Sequence, residues 1–111
     1  MDKQLELLNK IAQEIHKQRI FDYDAYRFEY KFNPEEGWSQ YGAYFCKNNI
    51  ETLAPNFNYD GINDLCQQLH DEMQAHTGGD WRKFILMLDE TGQAKTQFIY
   101  EIQSCMDQFN D

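Results

Sequence analysis

The stretch Tyr26-Arg27-Phe28-Glu29-Tyr30-Lys31-Phe32 decides the fold of this chain. Aromatic and charged residues alternate along it with a period of two, which predicts a β-strand with one aromatic and one charged face. The next five residues contain Pro34 and Gly37 and therefore predict a turn. The segment Trp38–Lys47 is rich in Trp, Tyr and Phe, so we expect it to return as the second strand of a hairpin.

Helices are predicted before and after this hairpin. Within residues 1–20 apolar side chains recur at three-to-four spacing, as in an amphipathic helix; they are Leu5, Leu8, Ile11, Ala12 and Ile15. The segment Asn48–Tyr59 contains Pro55 and four asparagines, which predicts an irregular connection. A second helix is expected to begin at Asp60, with the Asp60 carboxylate as its N-cap, and to end before Gly78.

The last predicted elements are Trp81–Asp89 and Ala94–Ile102, which form a second hairpin. Both faces of Phe84–Leu88 are apolar, and this favours a central strand covered on two sides. The order α-β-β-α-β-β predicts an α+β fold, a four-stranded, mostly antiparallel sheet with helices packed against it. Residues 104–111 are expected to be a short polar tail or a final helical turn. A chain of 111 residues fits one domain, 1–111.

The charge of the chain is strongly negative and unevenly distributed. Nineteen acidic residues outweigh ten Lys and Arg, for a formal net charge of −9. Between Asn48 and Trp81 the sequence has six carboxylates and no Lys or Arg; the six are Glu51, Asp60, Asp64, Asp71, Glu72 and Asp80. A field of this sign repels nucleic acid and anionic membranes and attracts basic proteins. We therefore expect a protein partner and neither nucleic acid nor a membrane.

The sequence also predicts a cytoplasmic protein. Charged residues interrupt the leucines of Met1–Lys10, so this segment lacks the apolar core of a signal peptide. The longest strongly apolar run, Phe84–Leu88, is too short to cross a bilayer. Cys46, Cys66 and Cys105 are odd in number and widely spaced, which predicts reduced thiols and no disulfide framework.

No residue pattern predicts catalysis or a cofactor. Cys66, His70 and His76 offer a thiolate and imidazoles at helical spacing, but a structural zinc site needs four ligands. We therefore expect a buried thiol, a solvated His70 and no metal. Neither Ser39 nor Ser104 lies in the glycine-framed turn or at the helix N-terminus that would supply an oxyanion donor. An enzyme of unrecognised type is the least favoured alternative.

The second predicted hairpin contains the segment Trp81-Arg82-Lys83-Phe84-Ile85-Leu86-Met87-Leu88-Asp89-Glu90-Thr91-Gly92-Gln93, followed by Phe98-Ile99-Tyr100-Glu101. This segment resembles a signature of the YezG-like immunity proteins. In that family a Trp opens an apolar strand that ends at an Asp-x-x-Gly turn, and the returning strand ends in a Tyr-Glu pair. The matching positions are Trp81, Asp89, Gly92, Tyr100 and Glu101, and we expect them to serve as a core Trp, a turn and a strand end. The order of helix, aromatic hairpin and acidic helix is similar too. The returning strand is richer in Gln and Thr than the family pattern, and the tail is short.

The resemblance implies an immunity protein, or antitoxin, of a bacterial polymorphic-toxin or contact-dependent competition system. Such a protein inactivates a cognate toxin in the cytoplasm, most often a nuclease, and a nuclease presents a basic cleft to its polyphosphate substrate. The expected docking surface consists of Asp60, Asp64, Asp71 and Glu72, with Glu51 and Asp80 at its flanks. The alternative is an acidic nucleic-acid mimic or adaptor that docks on a DNA-binding protein. The sequence does not predict a homo-oligomer and does not exclude one.

Overall fold

A computed structural model describes residues 2–104 of the chain. These residues form, in order, α1 (Lys3–Lys17), β1 (Ala25–Asn33), β2 (Trp38–Lys47), β3 (Ile50–Leu53), α2 (Asp60–Thr77), β4 (Lys83–Leu88) and β5 (Ala94–Ile99). The predicted α+β class is confirmed, but the predicted order α-β-β-α-β-β was wrong: an additional strand, β3, makes the order α-β-β-β-α-β-β. The predicted tail lies outside the described residues from position 105 onward. Neither helix found within 2–104 combines the length and the apolar character needed to span a membrane.

The chain divides into two compact units. The helical unit comprises Met1–Gln18 and Asn56–Asp80, and the sheet unit comprises Arg19–Pro55 and Trp81–Asp111. The single domain expected from the chain length stays a prediction.

Helix α1 of the helical unit is amphipathic, although its buried row differs from the predicted one. Its N-cap is Asp2, whose carboxylate accepts a hydrogen bond from the Gln4 N–H at 2.9 Å. The buried residues are Leu7, Ile11 and Ile15, whereas Leu5 is 47 % exposed. The inclusion of Leu5 was wrong because it lies about 120° around the helix from Ile11. Helix α1 contacts α2 within this unit.

Helix α2 begins and ends where the sequence predicts. Asp60 is the first helical residue and not the N-cap, which is Tyr59, so the predicted capping role of Asp60 was wrong. The Asp60 N–H instead donates to the Asn58 side-chain oxygen at 3.1 Å. The helix ends at Thr77, and its C-cap Gly78 has a left-handed φ of 75°, which favours glycine.

The sheet unit contains five strands in the order β3-β2-β1-β4-β5, with every neighbouring pair antiparallel. The predicted four strands were wrong because Asn48–Tyr59 is not wholly irregular. Asn48 and Asn49 have φ angles of 52° and 65° and form a two-residue turn between β2 and β3. Positive φ at both central positions matches the twist of a tight hairpin, and asparagine tolerates it better than most residues.

Strand β1 lies at the centre of the sheet and is buried on both faces. Its aromatic face carries Tyr26, Phe28, Tyr30 and Phe32, as predicted. The opposite face, here called the charged face, holds Glu29 and Lys31, which are also buried. The alternation was predicted correctly, but burial of the charged side chains was not, because it depends on contacts with residues distant in the sequence, such as Lys83 of β4 and Ser104.

The second hairpin is confirmed with shorter strands. β4 lies inside the sheet between β1 and β5, and β5 ends at Ile99. Tyr100 and Ile102 follow the strand and are exposed, so the predicted extension of β5 to Ile102 was wrong. The start of the hairpin is fixed by the Arg82 N–H, which donates to the Ile99 carbonyl at 2.8 Å.

Candidate functional site

Helix α2 presents three carboxylates on one side, here called the acidic face: Asp60, Asp64 and Asp71. All three are exposed, and the side chain of Asp71 is 75 % accessible. At 100° per residue they lie within about 40° of one another around the helix. The opposite side of α2 carries the buried residues Ile62, Cys66 and Leu69. Burial of that side therefore orients the acidic face toward solvent.

The charges of the acidic face are not neutralised by Lys or Arg. Within residues 2–104 neither Asp60 nor Asp64 takes part in an ion pair; Asp64 accepts a hydrogen bond from the Gln68 amide at 3.3 Å. Asp71 contacts His70, a neighbour on the same helix. No Lys or Arg occurs anywhere in α2. The negative potential of this face is therefore available to a partner.

The other predicted docking residues have different roles. Glu72 lies about 100° from Asp71 around the helix, is partly buried and contacts His76 Nε2 at 2.8 Å. Asp80 follows α2 and contacts His70 Nε2 at 2.7 Å. Glu51 belongs to the sheet unit, where it binds Arg27. The structure thus gathers Asp60, Asp64 and Asp71, and gives the remaining three carboxylates partners of their own.

His70 is held between two carboxylates, contrary to its predicted solvated state. Its side chain is only 7 % exposed, with Nδ1 at 3.0 Å from Asp71 and Nε2 at 2.7 Å from Asp80. The chain turns at Gly78, which brings Asp80 back to the ring. Each ring nitrogen of His70 is thus within hydrogen-bond distance of one carboxylate. His70 therefore fastens the segment after α2 to the helix and holds Asp71 at the end of the acidic face.

Cys66, one turn before His70, does not offer a thiolate. It is fully buried, and burial raises the pKa of the Cys66 thiol well above its usual range. A metal site would need the ionised form of this sulfur. Among the residues described by the structure, no group of three or more His, Cys, Asp and Glu side chains is arranged to hold a metal ion.

The charged face of the sheet contains a network that sequence reasoning missed. Glu29, with a side chain 2 % exposed, forms ion pairs with Arg27 and Lys83. The Lys83 Nζ lies 3.1 Å from Glu29 Oε1, without hydrogen-bond geometry at that oxygen. The Arg27 guanidinium also donates to Glu51 at 2.8 Å and 3.2 Å and lies 4.0 Å from the centre of the Tyr44 ring. The network therefore joins β1, β2, β3 and β4 through side chains.

Lys31 adds a further buried cation to this face. Lys31 is fully buried, and its Nζ donates to the Ser104 carbonyl at 2.9 Å. Lys31 is paired in register with Lys83 of β4, so two lysines occupy adjacent positions on neighbouring strands. The signal in the sequence was the alternation of the charged residues Arg27, Glu29 and Lys31. Their partners Glu51, Lys83 and Ser104 lie in distant segments of the chain.

Trp81, the first family-motif position, lies in an aromatic cluster of the sheet unit. It is fully buried, and its ring centroid is 5.7 Å from those of both Phe32 and Phe84. Phe98 of β5 lies at 5.6 Å. The ring therefore packs against side chains from β1, β4 and β5, as a core Trp is expected to do.

Asp89 and Gly92 shape the loop between β4 and β5. The Asp89 carboxylate accepts hydrogen bonds from the Thr91 hydroxyl at 2.6 Å, the Thr91 N–H at 2.9 Å and the Gln93 N–H at 3.0 Å. These bonds, led by the one from the Thr91 hydroxyl, lower the pKa of Asp89 below its usual value. Gly92 has a φ of 85°, a conformation that favours glycine. Tyr100 and Glu101 are exposed beyond β5, so they do not form the predicted strand end.

Comparison of the chain with protein-family models gave no match, and a search of curated proteins also gave none. The resemblance to YezG-like immunity proteins therefore depends on the motif residues named above.

Proposed function

We propose that this chain is an immunity protein that binds and neutralises a cognate toxin, a nuclease, through the acidic face of α2. The observation that carries the proposal is the exposed row Asp60, Asp64 and Asp71, which no Lys or Arg of the described residues neutralises. The net charge of −9 and the resemblance at Trp81–Glu101 support it.

The mechanism is electrostatic steering followed by steric blockade. A nuclease binds polyphosphate with clustered Lys and Arg, and the carboxylates of the acidic face attract that cluster. Complementary charges of this kind raise association rates by about 10- to 1,000-fold. Once docked, the folded inhibitor excludes the substrate, so the function needs no cofactor and no catalytic residue.

The first experiment is co-purification of the chain with the product of the adjacent upstream gene, followed by a growth assay in which both are expressed. Co-purification and protection from the toxin are the expected results. A chain that neither binds nor protects against the neighbouring gene product would contradict the proposal. The same pair of assays separates the alternative, since a nucleic-acid mimic would instead co-purify with a DNA-binding protein of the host or a phage.

The second experiment neutralises the acidic face with Asp60→Asn and Asp64→Asn. These two positions have no ion pair in residues 2–104, so the change removes charge without breaking a salt bridge. The matched control is Asp22→Asn with Glu35→Gln, two exposed acids of the sheet unit that give the same change in net charge. We expect affinity for the toxin to fall about tenfold in the first variant only, since close interfacial charge pairs are worth 1.5 kcal/mol or more.

A further inference from the structure

A pocket of about 340 Å³ lies at one end of the charged face of the sheet. Ala25 of β1 and Cys46 of β2 are direct partners in the antiparallel register and line the pocket together. Their side chains are short, whereas the surrounding Arg27, Glu51 and Met87 are long. A hollow therefore forms where the short side chains meet. Its volume is within the range of about 300–1,000 Å³ that is usual for ligand pockets.

The walls of this pocket are fixed by interactions already described. Arg27 is held by Glu29, by Glu51 and by the Tyr44 ring. On the opposite wall, Asp89 is held by the three hydrogen bonds that shape its loop. Because these contacts hold both walls in place, a bound group is expected to lose little free energy to rearrangement of the pocket.

The rim of the pocket carries a surplus of negative charge. A second hollow of about 180 Å³ shares Ala25, Cys46 and Asp89 with the first and adds Asp24, Asn49 and Glu90. The Arg27 cation is balanced within its own network, and the bonds to Asp89 come from neutral groups. Within the described part of the chain, Glu90 forms neither a hydrogen bond nor an ion pair. Asp24, the other carboxylate of the second hollow, is paired with Lys47, and Lys95 lines the first hollow, so Asp89 and Glu90 face one cation at this rim.

We propose that this pocket receives an arginine or lysine side chain of the toxin, which rests on the proposed function of the chain as an immunity protein. The aliphatic stem of the incoming residue packs on Met87 and Leu88, and its cationic head meets Asp89 and Glu90. Arginine is enriched among the residues that dominate binding energy at interfaces. The pocket thus supplies a specific contact in addition to the long-range attraction of the acidic face.

The test of the pocket uses a small probe, N-acetyl-arginine methylamide, titrated into the isotope-labelled chain while amide NMR signals are recorded. We expect shifts confined to the strand ends and loops around Ala25, Cys46 and Asp89. The uncharged N-acetyl-norleucine methylamide, which has a similar stem, should give much smaller shifts. Shifts that are absent, equal for both probes or spread over the whole surface would overturn the proposal.

Two variants sharpen this test. Ala25→Leu fills the pocket and should weaken the arginine probe about tenfold or more; Ala75→Leu, an exposed site on α2, is the matched control and should leave binding unchanged. Glu90→Gln removes an exposed charge that has no ion pair within residues 2–104 and should weaken binding about threefold. The same spectra report folding, so a misfolded Ala25→Leu would be recognised and Glu90→Gln would decide. Unchanged binding of the probe in Glu90→Gln and in a folded Ala25→Leu would contradict the assignment.

The final arm measures the affinity of Ala25→Leu and Glu90→Gln for the toxin. We expect the same order of losses as with the probe. If the probe binds but the toxin affinity is unchanged in both variants, the occupant is not a toxin side chain and the proposal fails. The probe titration contains no toxin, so it fails or succeeds independently of the immunity function. A toxin that does not bind the unmodified chain rejects the proposed function instead.

Discussion

The buried charge network predicts a large effect from one conservative substitution, Glu29→Gln. Glu29 has a side chain 2 % exposed and forms ion pairs with Arg27 and Lys83, both of which are largely buried. The substitution keeps the shape of the side chain but leaves those cations without the buried negative charge that balances them. Removal of one partner from a buried ion pair costs about 3–5 kcal/mol. Arg27 keeps Glu51, so we expect the lower end, about 3 kcal/mol.

Urea unfolding followed by circular dichroism measures this change. We expect the midpoint of the Glu29→Gln variant to fall while the slope stays constant, because the surface exposed on unfolding is unchanged. The control is Glu35→Gln, an exposed site in the β1–β2 turn, which should alter the free energy of unfolding by less than about 0.5 kcal/mol. The double variant Glu29→Gln with Lys83→Met should recover part of the loss, since it removes a cation together with the carboxylate.

The opposite result would refute the reasoning. If Glu29→Gln changes the free energy of unfolding no more than Glu35→Gln does, the carboxylate is solvated and the network does not stabilise the sheet. A double variant less stable than Glu29→Gln alone would show that Lys83 contributes through packing and not through its ion pair.

Three further outcomes are expected. Gly78→Ala should destabilise the chain by about 1 kcal/mol because φ is 75° there, whereas Gly61→Ala, in the first turn of α2 with open space around it, should be neutral or stabilising. Urea unfolding measures the stability of both variants, and equal effects would contradict the role of Gly78 as the C-cap of α2. Asp89 has a lowered pKa in the folded chain, so the stability that its carboxylate contributes is present above its ordinary pKa of 3.8 and is lost as the pH falls below 3.8 through the folded pKa. The free energy of unfolding of Asp89→Asn should therefore fall less steeply in acid than that of the unmodified chain. An identical fall in both proteins would exclude a stabilising role for the Asp89 carboxylate. Cys66 should resist alkylation at pH 8 in the native state and react in urea, because burial raises the pKa of its thiol; peptide mass spectrometry measures this, and rapid native labelling would contradict its burial.

The sequence predicted those parts of the fold that depend on local patterns. The alternation in β1, the amphipathic α1 and the glycine that ends α2 are each encoded within a few neighbouring residues. Strand β3 was not predicted because four asparagines and Pro55 in the segment Asn48–Tyr59 indicate a loop. The dipeptide Asn48-Asn49 was the usable signal, since asparagine tolerates the two successive positive φ angles of a tight hairpin.

The features that were not predicted depend on contacts between distant segments. Glu29 contacts Lys83 of β4 and Lys31 donates to the Ser104 carbonyl, and sequence alternation alone specifies neither contact. His70 is buried because the turn at Gly78 returns Asp80 to its ring, ten positions along the chain. Of the six proposed docking carboxylates, helical periodicity correctly placed Asp60, Asp64 and Asp71 on one exposed side of α2. It gave no information on the partners of Glu51, Glu72 and Asp80.

The most direct measurement of the central claim is the rate of association with the toxin as a function of salt concentration. The chain, the Asp60→Asn and Asp64→Asn variant, and the Asp22→Asn and Glu35→Gln control should be compared by stopped flow. If the acidic face steers the encounter, the Asp60→Asn and Asp64→Asn variant should associate more slowly at low salt, and its association rate should depend less on salt concentration. The control variant should stay close to the unmodified chain in both respects. Identical salt dependence in both variants would contradict the claim, because the attraction would then come from net charge and not from α2.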